Sequence, residues 1–177
     1  MNDAVGYTLY VGSPVQNVDF GQFVAVRAEA ERRGLPVIVW AYPRGKAIEG
    51  KGGRDTFYAI DYAERVALEL DVDVIKLNIP KSDAEKDELQ PKPYNSVSVS
   101  REEALRQIVQ SVGRSLVIFS GGERLSDEEP MKRARDAMEA VATAPDLGTQ
   151  RLAAGLQSGP SSERRDAQSA ATVPRMT

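Results

Sequence analysis

The amino-acid sequence predicts an α/β protein, in which parallel strands form one sheet and helices lie outside it. Apolar segments that are typical of strands alternate four times with segments whose apolar residues recur at helical spacing. Such alternation is typical of parallel sheets, because each helix returns the chain to the same end of the sheet. The third apolar segment, residues 71–80 (DVDVIKLNIP), is almost continuously apolar, which predicts a parallel strand covered on both faces.

The first two strand–helix units occupy the N-terminal part of the chain. The first strand is predicted over residues 4–12 and its helix over about residues 19–33. The second strand, residues 35–42, ends at Pro43, which has no backbone N–H to donate to a neighbouring strand. The second helix is predicted over about residues 56–70, because six apolar residues recur there at helical spacing: Ala59, Tyr62, Ala63, Val66, Ala67 and Leu70.

The last two units repeat this order. The third strand is predicted over residues 72–79. Ser100 and Glu103 have the spacing of a capping box, which predicts the start of the following helix. The fourth strand is predicted over residues 115–122, and a last helix is predicted to continue to about residue 142.

Two connections between a strand and its helix are long, residues 43–55 and residues 80–99. Both follow the carboxyl end of a predicted strand, where α/β folds place their active sites. The first connection is basic, which fits either a functional loop or a solvated flexible one. Its basic residues are Arg44, Lys46, Lys51 and Arg54.

Composition excludes several classes of function. A net charge of −3 does not indicate a nucleic-acid or membrane binder, and no apolar run approaches the roughly 18 residues that a membrane span needs. The chain contains no cysteine and no histidine, which excludes disulfides, thiolate catalysis, histidine-assisted triads and zinc sites of the Cys/His kind. No signal peptide is recognisable, so a cytoplasmic location is expected.

Lys76 stands at the centre of the third predicted strand. Strand alternation places it on one face of the sheet, and places Trp40 and Tyr42 together on one face of the second strand. A lysine in a closed apolar pocket can attack a carbonyl and form a Schiff base, an electron sink for cleaving or forming a C–C bond. A tyrosine hydroxyl nearby can move protons. The alternative is a lysine whose stem packs in the core while its amine pairs with an acid.

The fourth strand ends in Ser120, Gly121 and Gly122. Exposed backbone N–H groups ahead of a helix can hold a phosphate, and barrel enzymes commonly bind phosphate after their late strands. A tight turn explains the same residues without a ligand.

Taken together, these segments resemble the archaeal-type class I fructose-bisphosphate aldolases, which also occur in bacteria. The matching segments are DAVGYTLYVGS, LPVIVWAYPRG, YAERVALELDVDVIKLNIP and LVIFSGG, in that order over about residues 3–142. The resemblance implies an α/β fold that is part of a (β/α)8 TIM barrel, namely its strands four to seven. It also implies metal-independent cleavage of fructose 1,6-bisphosphate without a cofactor, and a homo-oligomer.

The resemblance assigns roles to individual residues. It implies that Lys76 is the Schiff-base lysine and Tyr42 the catalytic tyrosine. It implies that Trp40 binds substrate and that Ser120, Gly121 and Gly122 bind a substrate phosphate.

The resemblance is incomplete at both ends. A barrel of this kind has about 250 residues, whereas this chain has 177 and matches from the fourth strand onward. The family's Gly-Arg-Asn motif is absent, yet "GTQRLAA" (148–154), read one base out of frame with permitted codons, encodes Gly-Arg-Asn-Val-Trp-Gln. We therefore expect residues 1–142 to be a partial barrel and residues 143–177 to be a disordered or out-of-frame tail.

Three other interpretations remain open at the level of the sequence. The chain is either an inactive remnant or a partial barrel that persists by associating with another chain. Alternatively, it is a related aldolase or transaldolase that acts on another sugar phosphate.

Overall fold

The described part of the chain forms one sheet of four parallel strands. The computed structural model describes residues 3–81 and 83–120. The strands lie in the order β1-β2-β3-β4, and every neighbouring pair is parallel. The sequence therefore predicted the order and direction of the strands correctly. The strands are β1 (Val5–Val11), β2 (Val37–Pro43), β3 (Val74–Asn78) and β4 (Leu116–Ser120).

The helices that follow the strands start near the predicted positions. Thr56 caps one helix by accepting a hydrogen bond from the backbone N–H of Ala59. Ser100 accepts a hydrogen bond from the backbone N–H of Glu103, which is one half of the predicted capping box. The helices are α1 (Gln16–Arg32), α2 (Lys46–Glu49), α3 (Phe57–Glu69), α4 (Ala84–Glu88) and α5 (Arg101–Ser111), with a 3₁₀ turn at Tyr94–Ser96.

The two long connections are more ordered than the sequence predicted. The first contains α2, and the second contains α4 and the 3₁₀ turn. Asp55 in the first connection pairs with two lysines of the second, Lys81 at 3.5 Å and Lys86 at 3.3 Å. Gln90 accepts a hydrogen bond of 2.9 Å from the backbone N–H of Tyr58 at the start of α3. These contacts join the two connections beside the carboxyl ends of β2 and β3.

Helices cover only one face of the described sheet. The covered face packs its apolar side chains, with buried residues of α3 and α5, into a single core. The strand residues buried there are Leu9, Val11, Val37, Val39, Ala41, Ile75, Leu77, Val117 and Phe119. The opposite face, which we call the open face, is exposed or half-buried at all of its positions. It comprises Gly6, Thr8, Tyr10, Ile38, Trp40, Tyr42, Val74, Lys76, Asn78, Leu116, Ile118 and Ser120.

The expectation that β3 is covered on both faces was wrong for this structure. Ile75 and Leu77 are fully buried under the helices, whereas Val74, Lys76 and Asn78 are half-buried on the open face. The apolar residues on the open face of β3 fit the predicted barrel, because the interior of a barrel is lined with apolar side chains.

Some predictions fall outside the described residues. These are the phosphate-binding role of Gly121 and Gly122, the last helix to about residue 142, and the tail of residues 143–177. Among the residues that are described, no helix has the length and hydropathy to span a membrane.

Candidate active site

Lys76 lies beside Trp40 on the open face of the sheet. The two residues are opposite each other in the parallel ladder between β2 and β3. The Nζ atom of Lys76 lies 5.6 Å from the centre of the Trp40 ring, within the range of a cation–π contact. Within residues 3–81 and 83–120, no carboxylate forms an ion pair with Lys76. The described residues therefore do not supply the acid that the alternative interpretation of this lysine requires.

Tyr42 lies two residues beyond Trp40 on the same face, nearer the carboxyl end of β2. Burial raises the pKa of the Tyr42 hydroxyl above its ordinary value, and the nearby Tyr10 raises it slightly further. A hydrogen bond with Ser120 and the charge of Arg44 act in the opposite direction without cancelling the effect of burial. The phenol therefore stays protonated near neutral pH, as a proton donor must.

Arg44 and Tyr42 form a stacked pair at the mouth of the site. The guanidinium carbon of Arg44 lies 5.4 Å from the centre of the Tyr42 ring. The Nη1 atom of Arg44 donates a hydrogen bond of 2.8 Å to the carbonyl oxygen of Pro43, which fixes the guanidinium beside the end of β2. A positive charge is thus held next to the predicted proton donor.

Ser120 ends β4 beside the end of β3. It is opposite Asn78 in the ladder, and its hydroxyl oxygen lies 2.8 Å from the Asn78 side-chain oxygen and 3.0 Å from the carbonyl oxygen of Leu77. Ser120 also lies near enough to Tyr42 to lower the pKa of its hydroxyl, so a polar cluster links β2, β3 and β4 on the carboxyl side of Lys76.

This arrangement combines a nucleophilic amine with groups that can move protons. Lys76, Trp40, Tyr42 and Ser120 share the open face, as the sequence predicted for the first three. The amine can form a covalent bond with a carbonyl carbon, and the Tyr42 hydroxyl can exchange a proton with the same substrate. Such a site suits reactions in which a carbonyl compound becomes an imine.

Sequence reasoning missed two residues of this cluster and two buried acids. It gave no role to Asn78, and it placed Arg44 in a basic loop without relating it to Tyr42. It predicted an apolar stripe on α3, where Asp61 and Glu64 are also buried. The alternation of β3 was a signal for Asn78, because that residue is two positions from Lys76.

The fold and the site define the class of this protein. Four parallel strands with helices on one face define an α/β protein, and the other face of its sheet carries a lysine among aromatic and polar groups. The model of the DeoC/LacD family of aldolases matches residues 2–166 of the chain. The chain belongs to this family.

The individual proteins that the chain resembles are also aldolases. The class 1 fructose-bisphosphate aldolase of Halobacterium salinarum is 34% identical over 153 residues, which make up 86% of this chain and 47% of that protein. A fructose-bisphosphate aldolase/6-deoxy-5-ketofructose 1-phosphate synthase of Methanocaldococcus jannaschii is 33% identical over 129 residues, 73% of this chain and 36% of that protein. The chain spans about half the length of these relatives or less.

A solved structure confirms the predicted fold class. An archaeal fructose-1,6-bisphosphate aldolase, with its catalytic lysine covalently bound to the carbinolamine intermediate of the substrate, superposes with a TM-score of 0.62 at 26% identity. The likeness covers 86% of this chain and 50% of that chain. Because the structural neighbours are TIM-barrel aldolases, the described sheet is part of a (β/α)8 barrel fold.

Proposed function

We propose that the barrel to which this chain belongs is a Schiff-base aldolase that cleaves fructose 1,6-bisphosphate into dihydroxyacetone phosphate and glyceraldehyde 3-phosphate. In this proposal Lys76 is the nucleophile and Tyr42 transfers protons. Trp40 contacts substrate, and Ser120, Gly121 and Gly122 bind a phosphate group. The chain itself spans about half the length of the relatives it matches, or less.

The reaction begins when the Lys76 amine forms a bond with the C2 carbonyl carbon. The resulting carbinolamine loses water and becomes an iminium ion. Removal of the proton from the C4 hydroxyl breaks the C3–C4 bond, and its electron pair moves toward the iminium nitrogen to give an enamine. Glyceraldehyde 3-phosphate leaves. Protonation of the enamine at C3 and hydrolysis release dihydroxyacetone phosphate and restore the amine.

One observation supports this proposal above the others. Lys76 is the only charged side chain on the open face of the described sheet, and it lies against Trp40 with Tyr42 next along β2. The archaeal relative with the same fold carries its intermediate on a catalytic lysine.

Borohydride trapping tests the proposal. The chain is incubated with dihydroxyacetone phosphate and borohydride, beside a version extended at both ends to a closed barrel, and mass spectrometry locates the adduct. We expect an adduct on Lys76 in the extended version and none after Lys76→Ala. Lys81→Ala is the matched control, since Lys81 pairs with Asp55 and its adduct level should not change. An extended barrel without an adduct on Lys76 contradicts the function.

The isolated chain is expected to give little adduct, because its open face is exposed to water. A stoichiometric adduct on Lys76 in the 177-residue chain would contradict this expectation.

A second candidate concerns the substrate rather than the chemistry. The relative from Methanocaldococcus jannaschii is named for a synthase reaction as well as for the aldolase reaction. A related sugar-phosphate aldolase or transaldolase would use the same lysine with another acceptor. The two candidate functions are distinguished by measuring how fast the extended version cleaves fructose 1,6-bisphosphate and fructose 1-phosphate. A bisphosphate-specific enzyme strongly prefers fructose 1,6-bisphosphate.

A further inference from the structure

Gly6 lies directly against the Trp40 ring on the open face. A Cβ atom at Gly6 would lie 2.7 Å from Cζ3 and 3.0 Å from Cη2 of the Trp40 indole. Carbon atoms in favourable contact are about 3.5–4.0 Å apart, so any side chain at this position displaces the ring. The indole therefore occupies space that exists because residue 6 has no side chain.

The backbone of Gly6 does not itself require glycine. The glycines with positive φ angles are at other positions, and Gly6 is an ordinary strand residue opposite Ile38. Glycine inside a strand weakens the strand, and it commonly marks the close approach of another group. At Gly6 the approaching group is the Trp40 indole.

The same indole faces the amine of Lys76. Trp40 is opposite Lys76 in one ladder and opposite Thr8 in the other, so its ring spans the space between β1 and β3. We propose that Gly6 is a positioning residue of the Lys76 site, which acts by letting the Trp40 indole lie across β1 and face the Lys76 amine.

The expected consequence for catalysis rests on the proposed function. The face of an indole attracts a cation. In the proposed reaction the nitrogen of Lys76 is a neutral amine when it attacks the carbonyl carbon, and it becomes cationic when the iminium ion forms. A ring held near that nitrogen stabilises the iminium ion without having to move, which is how preorganised groups assist a reaction.

Tryptophan fluorescence tests the placement of the ring directly in the 177-residue chain, which contains a single tryptophan. Gly6→Ala should shift the Trp40 emission to longer wavelength and increase its quenching by acrylamide, because the displaced indole becomes more exposed. Gly21→Ala is the matched control, since its Cβ meets nothing within 4 Å. Unchanged emission and quenching in Gly6→Ala would overturn the proposal.

A double substitution separates an effect through the ring from a general effect on β1. Phenylalanine at position 40 lacks the two indole atoms that a Cβ at Gly6 meets. Gly6→Ala should therefore lower the urea midpoint, followed by far-UV circular dichroism, in the parent chain but not in the Trp40→Phe background. Equal lowering in both backgrounds would mean that Gly6 acts through the strand alone, and would overturn the proposal.

Borohydride trapping in the extended version measures the consequence at Lys76. Gly6→Ala should slow adduct formation several-fold, with no further slowing in the Trp40→Phe background. Additive slowing would contradict an action through the ring. If no variant forms an adduct on Lys76, the proposed function fails, while fluorescence and the urea midpoint still decide the role of Gly6.

Discussion

Glu64 is a buried carboxyl group that should make the stability of this fold depend on pH. It lies on α3, is 0% exposed, and accepts a hydrogen bond of 3.1 Å from the Ser111 hydroxyl of α5. Its other carboxyl oxygen, Oε1, is buried and has no hydrogen-bond partner among the residues that the structure describes. Burial raises its pKa to about 7, with a small contribution from Asp61, while Ser111 and Arg65 act to lower it.

The size of the effect follows from this pKa. One pKa unit corresponds to about 1.4 kcal/mol, so a rise from 4.5 to about 7 corresponds to about 3 kcal/mol. Because the pKa of the folded state lies above that of the unfolded state, the contribution to stability is fully present below pH 4.5. This contribution is lost as the pH rises through about 7, because the Glu64 carboxyl group then ionises and its charge is buried in the folded state.

Glu64→Gln removes the ionisation and keeps the size of the side chain. We expect the free energy of unfolding of the parent chain to fall by about 3 kcal/mol between pH 4.5 and pH 8 relative to that of Glu64→Gln. Urea denaturation followed by far-UV circular dichroism, at one protein concentration, measures this difference. Glu69→Gln, on the exposed side of the same helix, is the control and should retain the pH dependence of the parent. If the parent and Glu64→Gln show the same pH dependence, the reasoning is refuted.

Three further predictions concern the site and its supports. In the extended version, Tyr42→Phe should slow turnover by roughly 10²–10⁴-fold while the Lys76 adduct still forms, as rapid-quench kinetics and trapping can measure. Tyr94→Phe should lower the free energy of unfolding by about 1.5–3 kcal/mol in urea, because the buried Asp61 carboxylate loses a hydrogen bond of 2.6 Å; an unchanged urea midpoint would contradict this. Extending the chain to a closed barrel should raise the urea midpoint, because each Å2 of apolar surface that it covers contributes roughly 25 cal/mol. An extended version no more stable than the chain alone would argue against a barrel that closes over the open face.

The sheet and the predicted nucleophile were accessible from the sequence because they depend on local periodicity. Alternation along a strand fixes which residues share a face, and strand–helix alternation fixes the parallel order. Those two rules place Lys76 and Trp40 on the same face of neighbouring strands, as the structure does. The register that puts them opposite each other is a tertiary property, which neither strand encodes alone.

The buried acids of α3 were not accessible, because their partners are distant in the chain. Asp61 bonds to Tyr94, 33 positions away, and Glu64 to Ser111, 47 positions away. A helical stripe of apolar residues gives no indication that two carboxylates lie beside it. Burial raises the pKa of Tyr94 to about 12, with hydrogen bonding and charge from Asp61 adding to the effect. Contacts of this kind follow from how α3, α5 and the connection before α5 pack together.

The apolar strand around Lys76 combines two different environments. Ile75 and Leu77 fill the core under the helices, so the covered face of β3 is determined by packing alone. Lys76 points to the other face, where the Trp40 ring lies against Gly6 and faces the amine. Among the described residues no carboxylate pairs with the half-buried Lys76, so water and the indole face are what its charge can interact with. An aromatic ring offers a cation a weaker contact that leaves the amine accessible to a carbonyl substrate. Trp40→Phe keeps an aromatic face for the Lys76 amine but removes the ring atoms that reach Gly6. This substitution therefore separates the contact of the ring with the amine from its contact with Gly6.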